Sequence, residues 1–510
     1  MSLAGARPAQ AGNSGAILLS PSGSAFGENG LRSKYSRGGE VSEVTLAAYD
    51  LAIIGSGPGG YVTAIRASQW GLKTLVIEKD GFLGGTCLHV GCIPTKVLLY
   101  HAELYEAFQH ASEFGIEVSD VKVNWPAMLA RKERIVNKHA KGIEFLFRKN
   151  KVESLKGWGR WAAPHHVQVE NAGNITDVEA KHIMFATGSE ARSIPGVAFD
   201  GQVIVGNRDI LKLPQIPGRL VVVGAGAVGV EFASIFRSFG AEVTILEMLP
   251  RVAPLEDEEI SAELEKAFRK RGIRIFTTAT VESVKRDGAG AAVVFKDKSG
   301  ASQNLAADVV LIAVGRSPLT QNVGLEKTQA KLERGFVHVG RYMETAEPQV
   351  YAIGDIVAGM PQLAHAASME GIIAVGRIAG IQVPTLERSR IPNATYCEPQ
   401  IGSIGLTEKQ AREAGYDVKT GKFPFLANSK ASIINHHEGF IKVVADNKTS
   451  EILGVHIIGP LATEILSESV TALQLEATID DMLFTVHAHP TLWEAMGDAF
   501  ASVRGLAINI

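Results

Sequence analysis

One pattern occurs twice in this chain and constrains its fold more than any other feature. The first copy is "YDLAIIGSGPGGYVTAIRASQWGLKTLVIEKD" and the second "RLVVVGAGAVGVEFASIFRSFGAEVTILEML". Each opens with an apolar run, Leu51–Ile54 or Leu220–Val223, that reads as a buried strand. Three glycines in G-x-G-x-x-G spacing follow, Gly55, Gly57 and Gly60 in one copy and Gly224, Gly226 and Gly229 in the other. An Ala-rich stretch of helical period comes next, closed by Gly71 or Gly240, and then a second apolar strand that ends on an acid, Glu78 or Glu247. The parts divide the work. The first glycine makes the tight turn, the second lets backbone approach a pyrophosphate, and the third lets helix pack on strand. The helix N-terminus turns free N–H groups toward the phosphates, and the acid accepts from a ribose diol. Two complete copies predict an α/β chain with two Rossmann-like units, each holding a dinucleotide. A carboxylate at Glu247 repels a 2′-phosphate, so the second unit is expected to take NAD; Arg251 nearby is the one residue that argues for NADP.

At 510 residues several domains are expected. A net charge near −3 calls for neither nucleic acid nor an anionic membrane, and the longest apolar runs are too short and too glycine-broken for a membrane span. The first ~45 residues are rich in Gly, Ser and Ala with Glu28 as their only acid, and read as a disordered tail. A transit peptide would share the low acid content but carry more Arg.

Three cysteines do not make a disulfide framework, yet two of them, Cys87 and Cys92, stand five positions apart in "GGTCLHVGCIPTK" beside the first unit. In a regular helix five residues rise about 7.5 Å, beyond the ~7 Å reach of a disulfide between Cα atoms. A bridge therefore requires irregular backbone, which Gly84, Gly85 and Gly91 can supply. Zinc is the rival reading; it lacks a second cysteine pair, and His89 between the thiols is the only nearby imidazole.

With "ATGSE" (186–190), "VGRSP" (314–318), "VYAIGD" ending at Asp355 and "HAHPTLWE" (487–494), the cysteine segment resembles the pyridine nucleotide–disulfide oxidoreductases from Tyr49 to the C-terminus. Within that family it is most similar to the members that oxidise protein-bound dihydrolipoyl groups and reduce NAD+. The resemblance implies a tail over 1–46, an FAD-binding domain over 47–196, an NAD-binding domain over 197–319, a central domain over 320–390 that completes the FAD site, and an α+β dimerisation domain over 391–510. Cys87 is then the thiol that exchanges with substrate and Cys92 the one against the flavin. Lys96, one turn beyond Cys92, approaches the flavin and pairs with Glu231. Asp355 holds the ribitol, and Gln362, Leu363, Ala364 and His365 contact the ring. Thr187 and Gly188 mark the crossing between the two dinucleotide domains. The resemblance also assigns Lys79, Gly85, Thr86, Gly159, Ser189, Val281 and Gly315 to cofactor binding. His489 is the catalytic base and Glu494 its partner, with His487 structural. A homodimer is implied, in the cytoplasm or an organelle matrix. Its substrates are lipoyl domains of 2-oxoacid dehydrogenase complexes or the H protein of glycine cleavage.

Three positions depart from the family pattern: His89 for Asn, Thr95 for Ser, and Trp493 for a small polar residue. Glu247 and "IPTK" argue against a glutathione-type reductase. The ending "GLAINI" lacks the cysteine pair of a mercuric reductase. Cys397 reads as buried and inert.

Overall fold

A computed structural model describes the backbone of residues 44–510 and the side chains from residue 48. The expected tail lies outside that range except for its last residues, which begin the first strand. β1 (Val44–Ile54) and β2 (Thr74–Glu78) flank α1 (Pro58–Gln69) and pair in parallel. The chain continues through α2 (Gly85–Val90), α3 (Cys92–Gln109) and α4 (Trp125–Lys149). β3 (Glu153–Lys156), β4 (Trp158–Ala163), β5 (His166–Asn171) and β6 (Asn174–Phe185) complete the sheet in the order β3-β2-β1-β6-β5-β4. Leu51, Ala52 and Ile53 are fully buried because β1 is central, with β2 on one side and β6 on the other.

The second unit repeats the plan. Following β7 (Ser189–Ala191), it contains β8 (Ile204–Val205), α5 (Asn207–Ile210), β9 (Arg219–Val223), α6 (Ala227–Ser238), β10 (Glu242–Leu246), α7 (Glu258–Lys270) and β11 (Arg274–Phe276). An antiparallel sheet of β12 (Thr280–Asp287), β13 (Gly290–Lys296) and β14 (Ser302–Ala307) precedes β15 (Val309–Ile312). The parallel sheet runs β11-β10-β9-β15-β8. β16 (Arg316–Pro318) then pairs antiparallel with β7, so the exit and the return are neighbours.

In both fingerprints the third glycine is dictated by contact. A Cβ on Gly60 would lie 2.0 Å from the Gly55 carbonyl oxygen, and one on Gly229 1.9 Å from that of Gly224. The first glycines need a positive φ, +108° at Gly55 and +103° at Gly224.

The chain next forms the short hairpin of β17 (Leu332–Glu333) and β18 (Phe336–Val337), and then returns to the first unit. β19 (Val350–Ala352) adds in parallel to β6, and α8 (Ala364–Ile378) packs on α1. The remainder is an antiparallel sheet in the order β20-β21-β24-β23-β22, formed by β20 (Asn393–Thr395), β21 (Gln400–Gly405), β22 (Val418–Pro424), β23 (Phe440–Asp446) and β24 (Ile452–Gly459). It carries α9 (Glu408–Glu413), α10 (Ser429–Ile433), α11 (Ala462–Gln474), α12 (Ile479–Leu483) and α13 (Glu494–Val503).

These regions share a core. Leu98 of α3, Phe232 and Phe236 of α6, and Ile401, Phe440 and Ile458 of the last sheet belong to one buried cluster. A polar clamp joins the same parts. Lys442 of β23, 3% exposed, places Nζ 3.0 Å from Asp257, 2.7 Å from Glu259 and 2.8 Å from Glu408. Cys397, fully buried in the bend after β20, donates to the Pro399 carbonyl, and burial pushes its thiol up. Among the described residues no helix is long and apolar enough to cross a membrane.

Candidate active site

The cysteine segment is two helices broken at one residue. α2 ends at Val90, Gly91 takes φ −143° and ψ −117°, and α3 begins at Cys92. The break folds the chain back: a Cβ on Gly91 would sit 3.3 Å from the Cys87 Cα. Gly85, at φ +60°, lies so close to the first fingerprint that a Cβ there would be 2.6 Å from the Gly57 Cα. Glycines thus bring the thiols together and press them against the dinucleotide unit.

Cys87 is half-buried beside Cys92. The hydrogen bond from Cys87 lowers the Cys92 thiol to about 7, and the Lys96 charge assists, against burial and the Glu231 carboxylate. That same hydrogen bond, with burial, pushes Cys87 up. The shared negative charge therefore rests on Cys92, at the N-terminus of α3. Lys96 donates from Nζ to both Glu231 oxygens at 2.9 Å and lies 4.5 Å from the centre of the Tyr396 ring. Burial opposes the ammonium charge, yet Glu231 holds the Lys96 pKa above its ordinary value.

Cys87, Cys92, Lys96 and Glu231 line a cavity of about 540 Å³, within the usual range for a cofactor site. Gly55, Gly57, Glu78, Lys79, Gly85, Thr86 and Gly159 form its wall at the fingerprint end, and Thr187, Gly188, Ser189 and Asp355 continue it. Gln362, Leu363 and Ala364 close it at the start of α8. The residues fit a dinucleotide. Gly57 faces open space, with nothing within 4 Å of a Cβ built there, and α1 presents its N-terminus to the same space. Glu78 is already engaged: it accepts from Ser56 N–H (2.9 Å), Ser56 Oγ (2.6 Å) and Asp80 N–H (2.9 Å), so it also braces the turn. The Asp355 carboxylate accepts from the Ser189 hydroxyl and lies 3.8 Å from Arg316 Nε. Arg316 donates to Ser189 Oγ at 2.6 Å. It lay inside the "VGRSP" stretch, but its role depends on a pairing of β7 with β16 that the sequence does not display.

His365 does not line this cavity. Its exposed ring bonds the Pro392 carbonyl at 2.8 Å, because the first turn of α8 carries it to the opposite side from Ala364 and Ala367.

In the second unit Gly226 again faces open space. Glu247 accepts from Ala225 N–H at 2.6 Å and Leu249 N–H at 2.8 Å. Arg251 is turned onto Glu258 at 2.6 Å. Gly315 stands just beyond β15 at φ +108°. Val281 pairs with Phe295 and packs on the apolar cluster around it, away from the thiol cavity.

His489 and Glu494 are together, but apart from the thiols. His489 Nδ1 lies 2.8 Å from Glu494 Oε1, and Glu494 Oε2 accepts from Thr491 N–H at 2.9 Å. The Thr491 amide first, and His489 after it, hold the Glu494 carboxyl below the usual carboxylate range. His489 is 71% exposed, and no residue beyond Ala394 lines the cavity. His487 is bonded to Glu468 at 2.8 Å, largely buried. Trp493, 36% exposed, lies next to Glu494 in sequence. The His89 ring is tilted against that of Phe82, 3.9 Å between centres, and bonds the Leu83 carbonyl at 2.8 Å; burial lowers its pKa.

Residues 49–371 match the pyridine nucleotide-disulphide oxidoreductase family, and residues 391–500 match that family's dimerisation domain. The chain is 40% identical to dihydrolipoyl dehydrogenase of Bacillus subtilis, over 90% of this chain and 99% of that one. It is equally similar to the mitochondrial dihydrolipoyl dehydrogenase of Pisum sativum, at 40% over 90% and 92%. A leghemoglobin reductase of Glycine max is 41% identical over 88% and 86%. Among solved structures, LpdA from Mycobacterium tuberculosis superposes with a TM-score of 0.82 at 26% identity, covering 90% of this chain and 99% of that one. With two glycine-fingerprint units, a dithiol beside the first of them and family matches over most of its length, the chain belongs to the pyridine nucleotide-disulphide oxidoreductases.

Proposed function

We propose that this chain is a dihydrolipoyl dehydrogenase, which oxidises protein-bound dihydrolipoyl groups and reduces NAD+. The observation that carries the reading is the dithiol on the wall of a cavity whose far end is the first glycine fingerprint. FAD fits that cavity, held by Gly55, Gly57, Glu78, Lys79 and Asp355, and NAD fits the second unit. When bound, the flavin supplies the two-electron link between a dithiol and nicotinamide. Glu247 supports NAD over NADP, because its buried carboxylate opposes a 2′-phosphate while Arg251 is engaged by Glu258.

The chain's own residues account for the thiol chemistry. In the oxidised enzyme a substrate thiolate attacks Cys87, the Cys87–Cys92 bond breaks, and Cys92 leaves as a thiolate. A low-pKa thiol is the better leaving group, and the Cys92 site beside Lys96 at a helix N-terminus provides one. The second substrate thiol then displaces Cys87, which releases the cyclic disulfide and leaves the dithiol. Each attack needs a base to take the thiol proton. His489 fits that part: Glu494 binds Nδ1, which leaves Nε2 to accept. Its exposure, outside the cavity of its own chain, supports a homodimer in which His489 of the partner subunit completes each site. The macromolecular substrate is a lipoyl domain of a 2-oxoacid dehydrogenase complex or a glycine-cleavage H protein, and the compartment is that partner's, cytoplasm or organelle matrix.

The test is steady-state turnover of purified protein with dihydrolipoamide and NAD+, beside NADP+ and glutathione controls, on a preparation with a flavin spectrum. Turnover confined to the first pair is expected. Faster reduction of glutathione disulfide by NADPH would refute the assignment.

A further inference from the structure

A buried carboxyl beneath the first fingerprint has no part in the chemistry above. Glu370 of α8 is fully buried. Its Oε2 accepts from Gly354 N–H at 2.6 Å, the residue before Asp355, while Oε1 is buried with no partner. α8 and α1 meet closely around it. A Cβ on Gly59 would be 3.2 Å from the Ala367 Cβ, Ser368 Oγ reaches the Pro58 carbonyl at 3.3 Å, and Gly371 leaves no room for a Cβ beside Thr63 Oγ1. Thr63 Oγ1 is a second buried polar atom without a partner in the same contact. The carboxyl therefore lies under the opening turn of the helix that presents its N-terminus to the dinucleotide.

Few charges face this group. The adjacent turn contributes Asp355, itself 3.8 Å from Arg316. α1 has only Tyr61 and Arg66 as titratable residues, with Arg66 over the Trp70 ring. The other two on α8 are His365, bonded to Pro392, and Arg377, over the Tyr342 ring. No cation is paired with Glu370, so an ionised carboxylate with one bare oxygen is costly there, and an anionic cofactor on the other side of α1 makes it costlier. A neutral acid keeps the bond to Gly354 and removes the charge.

Resting on the flavin reading of the first unit, we propose that Glu370 is held as a neutral acid whenever the dinucleotide is bound, taking its proton from solvent, so that flavin retention is linked to proton uptake. Glu370 is a positioning residue: it ties the Gly354–Asp355 turn to α8, and Asp355 carries the contact to the cofactor. Burial pushes this carboxyl up to about 7, against the Gly354 N–H and with help from the Asp355 charge, and bound phosphates shift it further upward. The sign follows. A group protonated in the loaded form and ionised in the empty form weakens binding as pH rises, by up to about tenfold per pH unit above about pH 7.

The experiment dilutes the flavin-loaded protein at a series of pH values and reads released flavin by its fluorescence, for the natural chain and for Glu370→Gln. The glutamine keeps an acceptor for Gly354 and cannot ionise. Release from the natural chain is expected to rise with pH while Glu370→Gln stays flat, with circular dichroism constant over the window. A flat profile in the natural chain overturns the proposal without need of the variant, and so does an equal rise in both. A protein that neither carries nor takes up flavin would instead overturn the cofactor reading.

Discussion

The exposed position of His489 leads to a test that distinguishes one-chain from two-chain active sites. The cavity wall ends at Ala394, and His489 stands outside it with 71% of its side chain in solvent. If the base serves the partner's thiols, a dimer of one Cys92→Ser chain and one His489→Ala chain holds one doubly broken site and one intact site. The intact site combines the thiols of the second chain with the histidine of the first. Alone, His489→Ala should lower lipoamide turnover by about 10²–10⁴, the span of a general base, and Cys92→Ser should abolish it. The mixed dimer should recover about half of the natural turnover, which is about 50- to 5,000-fold above the His489→Ala parent. Two affinity tags purify the mixed species, and the assay is NAD+ reduction by dihydrolipoamide. If sites form within one chain, both sites of the mixed dimer stay broken. Purified mixed dimers as inactive as their parents would sink the two-chain site.

Other outcomes follow from the same geometry. Cys92→Ser should keep its flavin and still pass electrons from NADH to an artificial acceptor while lipoamide turnover disappears; appreciable lipoamide turnover would refute the dithiol role. Glu247→Gln should weaken NAD binding by about 1–3 kcal/mol and narrow the NAD/NADP preference, and an unchanged ratio of the two affinities would move specificity elsewhere. Lys442→Met should destabilise the protein by about 3–5 kcal/mol at neutral pH, because Asp257, Glu259 and Glu408 lose their common cation. Although burial works the other way, Lys442 holds the Asp257 carboxyl low, so its contribution is present above the ordinary carboxylate range and lost as pH falls through the folded value. The gap in urea midpoint between the natural chain and Lys442→Met should therefore hold down to pH ~4 and shrink only below it, and a gap undiminished at pH ~2.5 would contradict the clamp.

Patterns with a short-range physical cause were legible in the sequence. Gly60 and Gly229 must be glycine because they touch the carbonyl of the first glycine in each turn, so the motif announces its own geometry. Gly91 was readable in the same way, since a disulfide-capable pair five residues apart requires a break and the structure places one there. Lys96 was different. On helical spacing alone it is a surface lysine, and its pairing with Glu231, 135 positions away, came only through family resemblance. Contacts that depend on tertiary pairing escaped. β19 joins β6 across more than 160 residues, Arg316 is defined by the β7–β16 ribbon, and Lys442 is a buried cation whose three carboxylate partners come from the start of α7 and from α9. His365 is a further case: it closes the "QLAH" motif in sequence, while the start of α8 turns its side chain onto the Pro392 carbonyl and away from the cavity that its neighbours line.

The antiparallel ribbon of β7 and β16 has an architectural consequence. Ala191 and Arg316 are register partners, so everything between them leaves and re-enters the first unit through one doorway. Such an insert has adjacent ends, the condition under which whole modules are exchanged or permuted without rethreading the host. The second unit is thus topologically a cassette. Its helix α6, however, is not portable: Phe232 and Phe236 share a core with Leu98 of α3, and Glu231 of the same helix holds the lysine beside the thiols. A graft that changes nucleotide preference has freedom at the strand ends around Glu247, and must keep the α6 face that the host chain has already claimed.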